Sequence, residues 1–226
     1  MAEPRRRAPI IVRLAAAVSR VVFGVAARVE LEGVERLPRS GPLIIVVNHL
    51  SNADPPIIVG WLTPALGRRM HILAKSTIFV GPLGPLLRSQ GVTPVRAGGS
   101  DIEAYRAAKA VLDRGDVLCI FPEGTRSKTG MLGQPKPGVA LLATRADVPV
   151  VPVGISGTER FLPPGRALPR FRARVVVRIG RPFRLPLDSS LARREAIHRG
   201  SEQIMRRLAA LVDEPIRGAY LPWPED

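Results

Sequence analysis

The sequence has little cysteine, few aromatic residues and little acidic charge, and each shortage narrows the class of protein. Its one cysteine, Cys119, excludes an intramolecular disulfide framework and a cysteine zinc cluster. Aromatic residues make up only 4% of the 226 residues, whereas hydrophobic residues make up 46%. The core must therefore consist mainly of aliphatic side chains, and the length is sufficient for one substantial domain.

Acidic residues number 19 against 34 lysines and arginines, which gives a net charge of +15. Such an excess attracts polyanions: nucleic acid, anionic lipid head groups or an acidic carrier protein. Almost all of the positive charge is arginine, so we attribute part of it to a compositional bias of the genome. The sequence lacks the interleaved aromatic residues that stack on bases. We therefore expect no nucleic-acid partner. A remote alternative is a non-enzymatic basic protein that binds a membrane surface or nucleic acid.

Short apolar, β-branched runs alternate with helical patterns along the chain. We predict strands over 29–34, 43–47, 70–74, 92–95, 117–121, 148–153 and 171–179, and helices from near 56 and over 100–112, 138–145 and 189–212. This alternation predicts one layered α/β domain over residues 29–226, with a largely parallel central sheet flanked by helices. In such a sheet, the site lies at the carboxyl ends of the strands.

Residues 8–28 have the pattern of an amphipathic helix that precedes this domain. Arg13 and Arg20 fall on one side of the helix, and the other side carries Ile11, Leu14, Val18, Val21, Val22 and Val25. The apolar stretches are far short of the roughly 20 residues that a spanning helix needs. With the basic run at 5–7, the pattern suits a helix over residues 1–28 that lies in a membrane interface with anionic lipids. The alternative is a helix that packs on the protein's own core.

A polar segment from Asn48 to Asp54 follows the predicted buried strand at 43–47. His49 can act as a general base near neutral pH, because the ordinary pKa of a histidine side chain is about 6.5. The carboxylate of Asp54, five positions on, can fix the histidine tautomer and stabilise the imidazolium that forms. Pairs of this kind also occur in purely structural roles. For the other two histidines, His71 in a strand-like run and His198 on a polar helix, we expect structural roles.

Neither a serine elbow nor a group of metal ligands at the usual spacing accompanies His49. We therefore expect no metal, and we expect the base to activate a substrate hydroxyl directly.

The segment Phe121-Pro122-Glu123-Gly124-Thr125-Arg126 follows another predicted strand. Gly124 allows the backbone to approach a ligand closely, and Arg126 offers a planar fork that suits a phosphate. Glu123 could orient Arg126 or another basic group. This segment and the segment that contains His49 each follow a strand of the predicted parallel sheet. We therefore expect the two segments to open onto the same edge of that sheet.

Three further cations occupy similar positions. Lys75 and Arg96 follow predicted strands, and Lys136 precedes a predicted helix, whose first N–H groups favour anions. Each cation alone would be read as a solvated surface charge. Their shared position favours an anion site.

The ordered motifs resemble the glycerolipid acyltransferases, specifically the 1-acylglycerol-3-phosphate O-acyltransferases. The resemblance covers about residues 41–156 and rests on Asn48-His49-x4-Asp54, Lys75, Gly84, residues 91–96 and 121–126, Lys136-Pro137-Gly138 and residues 150–153. Each motif is modest by itself, whereas their order and spacing together are specific.

The resemblance implies that His49, held by Asp54, deprotonates the sn-2 hydroxyl of lysophosphatidic acid. That hydroxyl attacks the thioester of acyl-CoA or acyl-carrier protein, without a covalent enzyme intermediate and without a cofactor. The product would be phosphatidic acid, and the reaction would be a step of phospholipid biosynthesis. The resemblance also implies a peripheral or monotopic position at the cytoplasmic face of the cell membrane.

The resemblance further implies that Lys75, Arg96 and Arg126 hold the acceptor phosphate, in a site that Glu123 and Gly124 shape. The family often carries an acidic residue shortly before the arginine of its second block, whereas here Pro94-Val95 precede that arginine. Glycerol 3-phosphate or another lysophospholipid therefore stays open as an alternative acceptor.

Overall fold

The structure, a computed structural model, describes residues 8–81, 83–89, 91–96, 101–163, 165–166, 168–185 and 192–224. The basic run at 5–7 and the first residues of the predicted final helix, 189–191, lie outside the described residues.

In the described part of the chain, seven strands form one sheet. Their bounds are β1 Ala27–Glu32, β2 Leu43–Val47, β3 Met70–Lys75, β4 Val92–Val95, β5 Val117–Ile120, β6 Val150–Ser156 and β7 Ala173–Ile179. The strand order is β1-β7-β6-β2-β5-β3-β4. All neighbours pair in parallel except β6 and β7, which are antiparallel. The predicted largely parallel sheet is confirmed.

Helices cover both faces of this sheet. Their bounds are α1 Ile10–Ala26, α2 Asp54–Leu66, α3 Leu83–Ser89, α4 Asp101–Asp113, α5 Pro137–Ala146, α6 Thr158–Phe161 and α7 Arg193–Leu211. Side chains of α1 and α2 join one core cluster, and those of α4, α5 and α7 join the other. The chain is therefore an α/β domain of three layers.

The central strand β2 shows why this core needs few aromatic residues. Successive side chains of a strand point to opposite faces, so Ile45 joins the core cluster on the α1/α2 face and Ile44 the cluster on the opposite face. Because helices cover both faces, all five residues of β2 are buried. A continuous aliphatic run is the sequence pattern that such a strand requires.

The boundary between α1 and β1 differs from its prediction by two residues. The helix ends at Ala26, and the strand begins at Ala27 instead of residue 29. Residues 27–32 pair in register with residues 173–178 of β7. That pairing depends on a distant segment, which local helical periodicity does not report.

Helix α1 packs with one face and leaves its large apolar side chains exposed. Its buried face carries small residues such as Ala15, Ala16 and Ser19. On α2, a Cβ added to Gly60 would lie 3.3 Å from atoms of Ser19 and Arg20, so the two helices approach closely there. The exposed face, 56–80% accessible, consists of Ile10, Ile11, Leu14, Val18, Val21, Val22 and Val25. In the ranges described, no helix is both long and apolar enough to span a bilayer.

Candidate active site

Asn48 fixes the turn that carries the candidate base. Its side-chain Nδ2 donates to the carbonyl of Ile155 at 2.9 Å, and the N–H of Ile155 donates to Asn48 Oδ1 at 2.8 Å. The buried amide therefore joins the end of β2 to its neighbour β6 and sets the position of His49. From the sequence, Asn48 was assigned no role. A polar residue directly after a fully apolar strand was the pattern that could have indicated this structural role.

His49 and Asp54 form the predicted pair. Asp54 is buried at the first residue of α2, and its Oδ2 lies 2.8 Å from His49 Nδ1. The same oxygen accepts the N–H groups of Leu50 at 2.6 Å and Ser51 at 2.7 Å. Because Oδ2 already accepts two backbone N–H groups, it is an acceptor toward the ring as well, and His49 Nδ1 is the donor. The lone pair of Nε2 is then left for a substrate.

The ring of His49 stacks on Phe121, with centroids 4.3 Å apart and planes at 28°. The histidine side chain is partly exposed and accessible to a substrate. Its backbone N–H donates to Glu123 Oε1 at 3.2 Å, and its carbonyl accepts the N–H of Ser127 at 2.8 Å. The loops after β2 and β5 are therefore joined, because these strands are parallel neighbours.

Glu123 is buried and engaged at both oxygens. Its Oε2 accepts the N–H of Gly133 at 3.1 Å, and the carbonyl of Gly133 accepts the Tyr220 hydroxyl at 3.3 Å. Burial raises the pKa of Glu123, although its two backbone N–H partners act in the opposite direction. Burial, followed by the nearby Glu123 carboxylate, raises the pKa of Tyr220. In this arrangement Glu123 braces the backbone of His49, and sequence reasoning missed Gly133 and Tyr220.

Gly124 adopts a left-handed backbone conformation with φ +68°. A Cβ at this position would lie 2.7–2.8 Å from the last two methylenes of the Lys136 side chain. The N–H of Lys136 also donates to the carbonyl of Pro122 at 2.8 Å. Lys136 therefore lies against the 121–126 loop. The left-handed backbone favours glycine at position 124, whereas the flexible end of the Lys136 side chain can move to admit a Cβ.

The three predicted phosphate-binding cations follow neighbouring strands. Arg126 follows β5 and is half-buried, and Arg96 follows β4 and is exposed. Lys75 is the last residue of β3, in register with Val95; its side chain lies outside the described residues. The fold thus brings these positions to the carboxyl edge that carries His49. No ion pair to a described acidic residue engages Arg96 or Arg126.

A second histidine–carboxylate pair lies at the opposite edge of the sheet. His71 Nε2 is 3.2 Å from Asp116 Oδ2, and both side chains are buried near the amino ends of β3 and β5. Burial lowers the pKa of His71. This pair is therefore separate from the His49 site. Nowhere in the described segments do three or more His, Cys, Asp or Glu side chains come together as a metal site would require.

Fold and site together define a layered α/β domain with an oriented histidine and arginines at the carboxyl edge of its sheet. The chain belongs to the acyltransferase family: the family model described as Acyltransferase matches residues 28–156, more than half of its length.

Among its relatives is the chloroplastic 1-acyl-sn-glycerol-3-phosphate acyltransferase LPAT1 of Arabidopsis thaliana, 34% identical over 142 residues. That match covers 61% of this chain and 38% of the relative. The human 1-acyl-sn-glycerol-3-phosphate acyltransferase alpha is 30% identical over 154 residues, which cover 67% of this chain and 53% of the relative. The chain thus spans about two fifths to one half of the length of these relatives.

The crystal structure of the 1-acyl-sn-glycerophosphate acyltransferase PlsC from Thermotoga maritima has the same fold. The TM-score is 0.68 at 24% sequence identity, and the match covers 87% of this chain and 78% of that one.

Proposed function

We propose that the protein transfers a fatty acyl group from an acyl thioester to the sn-2 hydroxyl of 1-acylglycerol-3-phosphate, giving phosphatidic acid. The observation that carries the proposal is the His49–Asp54 pair, 2.8 Å apart at the sheet edge that also carries Arg126. The names of the relatives support the same acceptor. The donor would be acyl-CoA or acyl-carrier protein, and the reaction needs no cofactor.

In the proposed reaction His49 Nε2 takes the proton of the acceptor hydroxyl. The oxygen attacks the thioester carbonyl carbon, the new C–O bond forms and the C–S bond breaks. The proton then passes from His49 to the departing thiolate. Asp54 keeps the other ring nitrogen protonated and stabilises the transient imidazolium, as a buried carboxylate does beside a catalytic histidine.

The test of the base is His49→Ala, assayed with lysophosphatidic acid and acyl-CoA. A positioned general base contributes about 10²–10⁴-fold, so we expect kcat/KM to fall within that range. His198→Ala is the matched control, because His198 is exposed on α7. Activity of His49→Ala near that of the control would overturn the assignment.

We further propose that Lys75, Arg96 and Arg126 bind the acceptor phosphate, and that Glu123 and Gly124 shape the site through the backbone. Arg126→Ala should mainly raise the KM for the acceptor, because a guanidinium–phosphate contact is made in the ground state as well as the transition state. An unchanged KM, equal to that of the exposed control Arg145→Ala, would contradict this role.

The alternative acceptors call for a separate experiment. A panel of lysophosphatidic acid, glycerol 3-phosphate and other lysophospholipids, ranked by kcat/KM, would identify the acceptor. A higher value for glycerol 3-phosphate would reassign it without changing the role of His49.

We also propose that the protein is peripheral or monotopic at the cytoplasmic face of the cell membrane, with α1 in the interface of anionic lipids. The support is the exposed apolar face of α1, which is opposite to the small residues that pack on α2.

A further inference from the structure

Two large apolar side chains are exposed on the loop that leads into β7. Leu168 is 78% and Phe171 72% accessible. Arg166, Arg170 and Arg172 on the same loop are also exposed. None of these arginines pairs with a described acidic residue. We name these five residues the β7-entry surface.

Strand direction places this surface at the edge of the sheet that carries the candidate active site. Because β7 is antiparallel to β6, the chain enters β7 where β6 ends, at the carboxyl edge of the parallel strands. Because β1 is parallel to β7, the end of α1 that leads into β1 lies at the same edge. Both segments therefore lie at the sheet edge that carries the His49 loop.

One hydrogen bond joins the β7-entry surface directly to α1, and a path through residues 161–162 connects it to the site. The N–H of Arg172 donates to the carbonyl of Ala26, the last residue of α1, at 2.8 Å. The N–H of Arg170 donates to the carbonyl of Phe161 at 2.7 Å. The hydroxyl of Ser51, two residues after His49, donates to the carbonyl of Leu162 at 2.7 Å.

We propose that the β7-entry surface is a second membrane contact, which docks together with α1 on an anionic lipid bilayer. Exposed apolar side chains lie here between arginines that pair with no described acidic residue. They match the two layers of a membrane interface, acyl chains below and anionic head groups above. An acidic carrier protein would match the arginines. It would not account for the large apolar side chains exposed along the whole of α1.

The second contact sets the orientation of the domain on the bilayer. A single interfacial helix leaves the domain free to tilt about the helix axis, whereas a contact at the carboxyl edge removes that freedom. The edge that carries His49 then faces the lipid. If the proposed function holds, this orientation lets a lysophospholipid acceptor reach His49 without leaving the membrane interface.

The test is the double substitution Leu168→Ser/Phe171→Ser in the full chain. Partition onto vesicles of phosphatidylcholine and phosphatidylglycerol is measured by flotation, without donor or acceptor. We expect the partition coefficient to fall about tenfold, because two apolar side chains no longer enter the interface. The matched control is Leu221→Ser: Leu221 is 75% exposed, and its carbonyl accepts from Arg206 on α7, in the other helical layer.

Equal partition of the double variant and the control would overturn the proposal, provided that thermal unfolding midpoints agree. A variant that binds vesicles normally but loses affinity for acyl-carrier protein would assign the surface to that protein instead.

Turnover separates this inference from the proposed function. The double variant should keep its activity on a short-chain, monomeric lysophosphatidic acid and lose activity on the vesicle-borne acceptor. A parallel loss on both acceptors would contradict an orienting role. If the wild-type protein acylates neither acceptor, the proposed function fails, and the flotation result still decides the surface.

Discussion

At the scale of single residues, Glu123 connects the candidate base to the rest of the domain. One carboxylate oxygen accepts the backbone N–H of His49 and the other that of Gly133, whose carbonyl accepts the hydroxyl of Tyr220. Both oxygens of this buried carboxylate already accept backbone N–H groups, and a phosphate would repel a carboxylate of like charge. We therefore expect Glu123 not to contact the phosphate. Its contribution to the site is the position of His49.

The pKa of Glu123 gives a prediction about stability and pH. Because burial raises this pKa, the folded protein holds the proton more tightly than the unfolded chain does. The bound proton stabilises the folded protein fully below pH 4.5, the ordinary pKa of a glutamate. This stabilisation is lost as pH rises through the raised pKa of Glu123 in the folded state. We therefore expect the free energy of unfolding of wild type, relative to Glu123→Gln, to decrease as pH rises above that range.

Urea unfolding of both proteins across this pH range measures the difference. The exposed Glu35 offers the control Glu35→Gln, whose difference from wild type should show no such decrease. A pH-independent difference for Glu123→Gln would mean that its pKa is not raised in the folded protein.

The site residues that sequence reasoning found are those whose relation is local. His49 and Asp54 are five positions apart, so one turn at the start of α2 brings them together. Tyr220 and Gly133 meet only because the chain after α7 returns to the loop after β5. No local pattern in the sequence reports that contact.

At the scale of elements, α1 has two faces with different partners. Val12, Ala15 and Ala16 are buried, and Phe23 lies with its ring centroid 6.0 Å from that of Phe161. Removing the helix would therefore uncover part of the core as well as remove the apolar face. Substitutions on the exposed face separate the two effects.

Leu14→Ser/Val18→Ser should lower partition onto anionic vesicles by about five- to tenfold, because each side chain contributes apolar area to the interface. Both residues are 59% exposed, so we expect the free energy of unfolding to stay within about 0.5 kcal/mol of wild type. Flotation and urea unfolding check the two expectations. Ile102→Ser, at a residue 60% exposed on α4, controls for a general loss of apolar surface; an equal fall in that variant would argue against α1.

The central strand β2 was predictable, because its aliphatic run is uninterrupted. β2 begins and ends where its aliphatic run does. The strand β6 is also buried throughout, but it was predicted over 148–153 and covers Val150–Ser156, because it continues past its apolar run through Gly154 to Ser156. The edge strand β1 was displaced by two residues, because its start depends on pairing with β7.

At the scale of the whole molecule, the net charge of +15 adds a long-range attraction to the local apolar contacts. The Debye length falls from about 10 Å at 0.1 M salt to about 3 Å at 1 M. We therefore expect binding to anionic vesicles to weaken over this range, with a residual apolar component that binding to zwitterionic vesicles shares.

Flotation at increasing salt, with anionic and zwitterionic vesicles in parallel, measures both components. Leu14→Ser/Val18→Ser should retain the salt-sensitive part and lose most of the residual part. Equal partition onto both vesicle types at low salt would show that charge contributes nothing.

The sequence by itself determined the alternation of strands and helices, the two-faced character of α1 and the pairing of His49 with Asp54. Each of these follows from local periodicity or from residues a turn apart. Only the tertiary structure decided the order of the sheet, the reversed direction of β7 and the contact of Arg172 with the end of α1. These features arise from pairings between distant segments, whose relative stability depends on how the whole core packs.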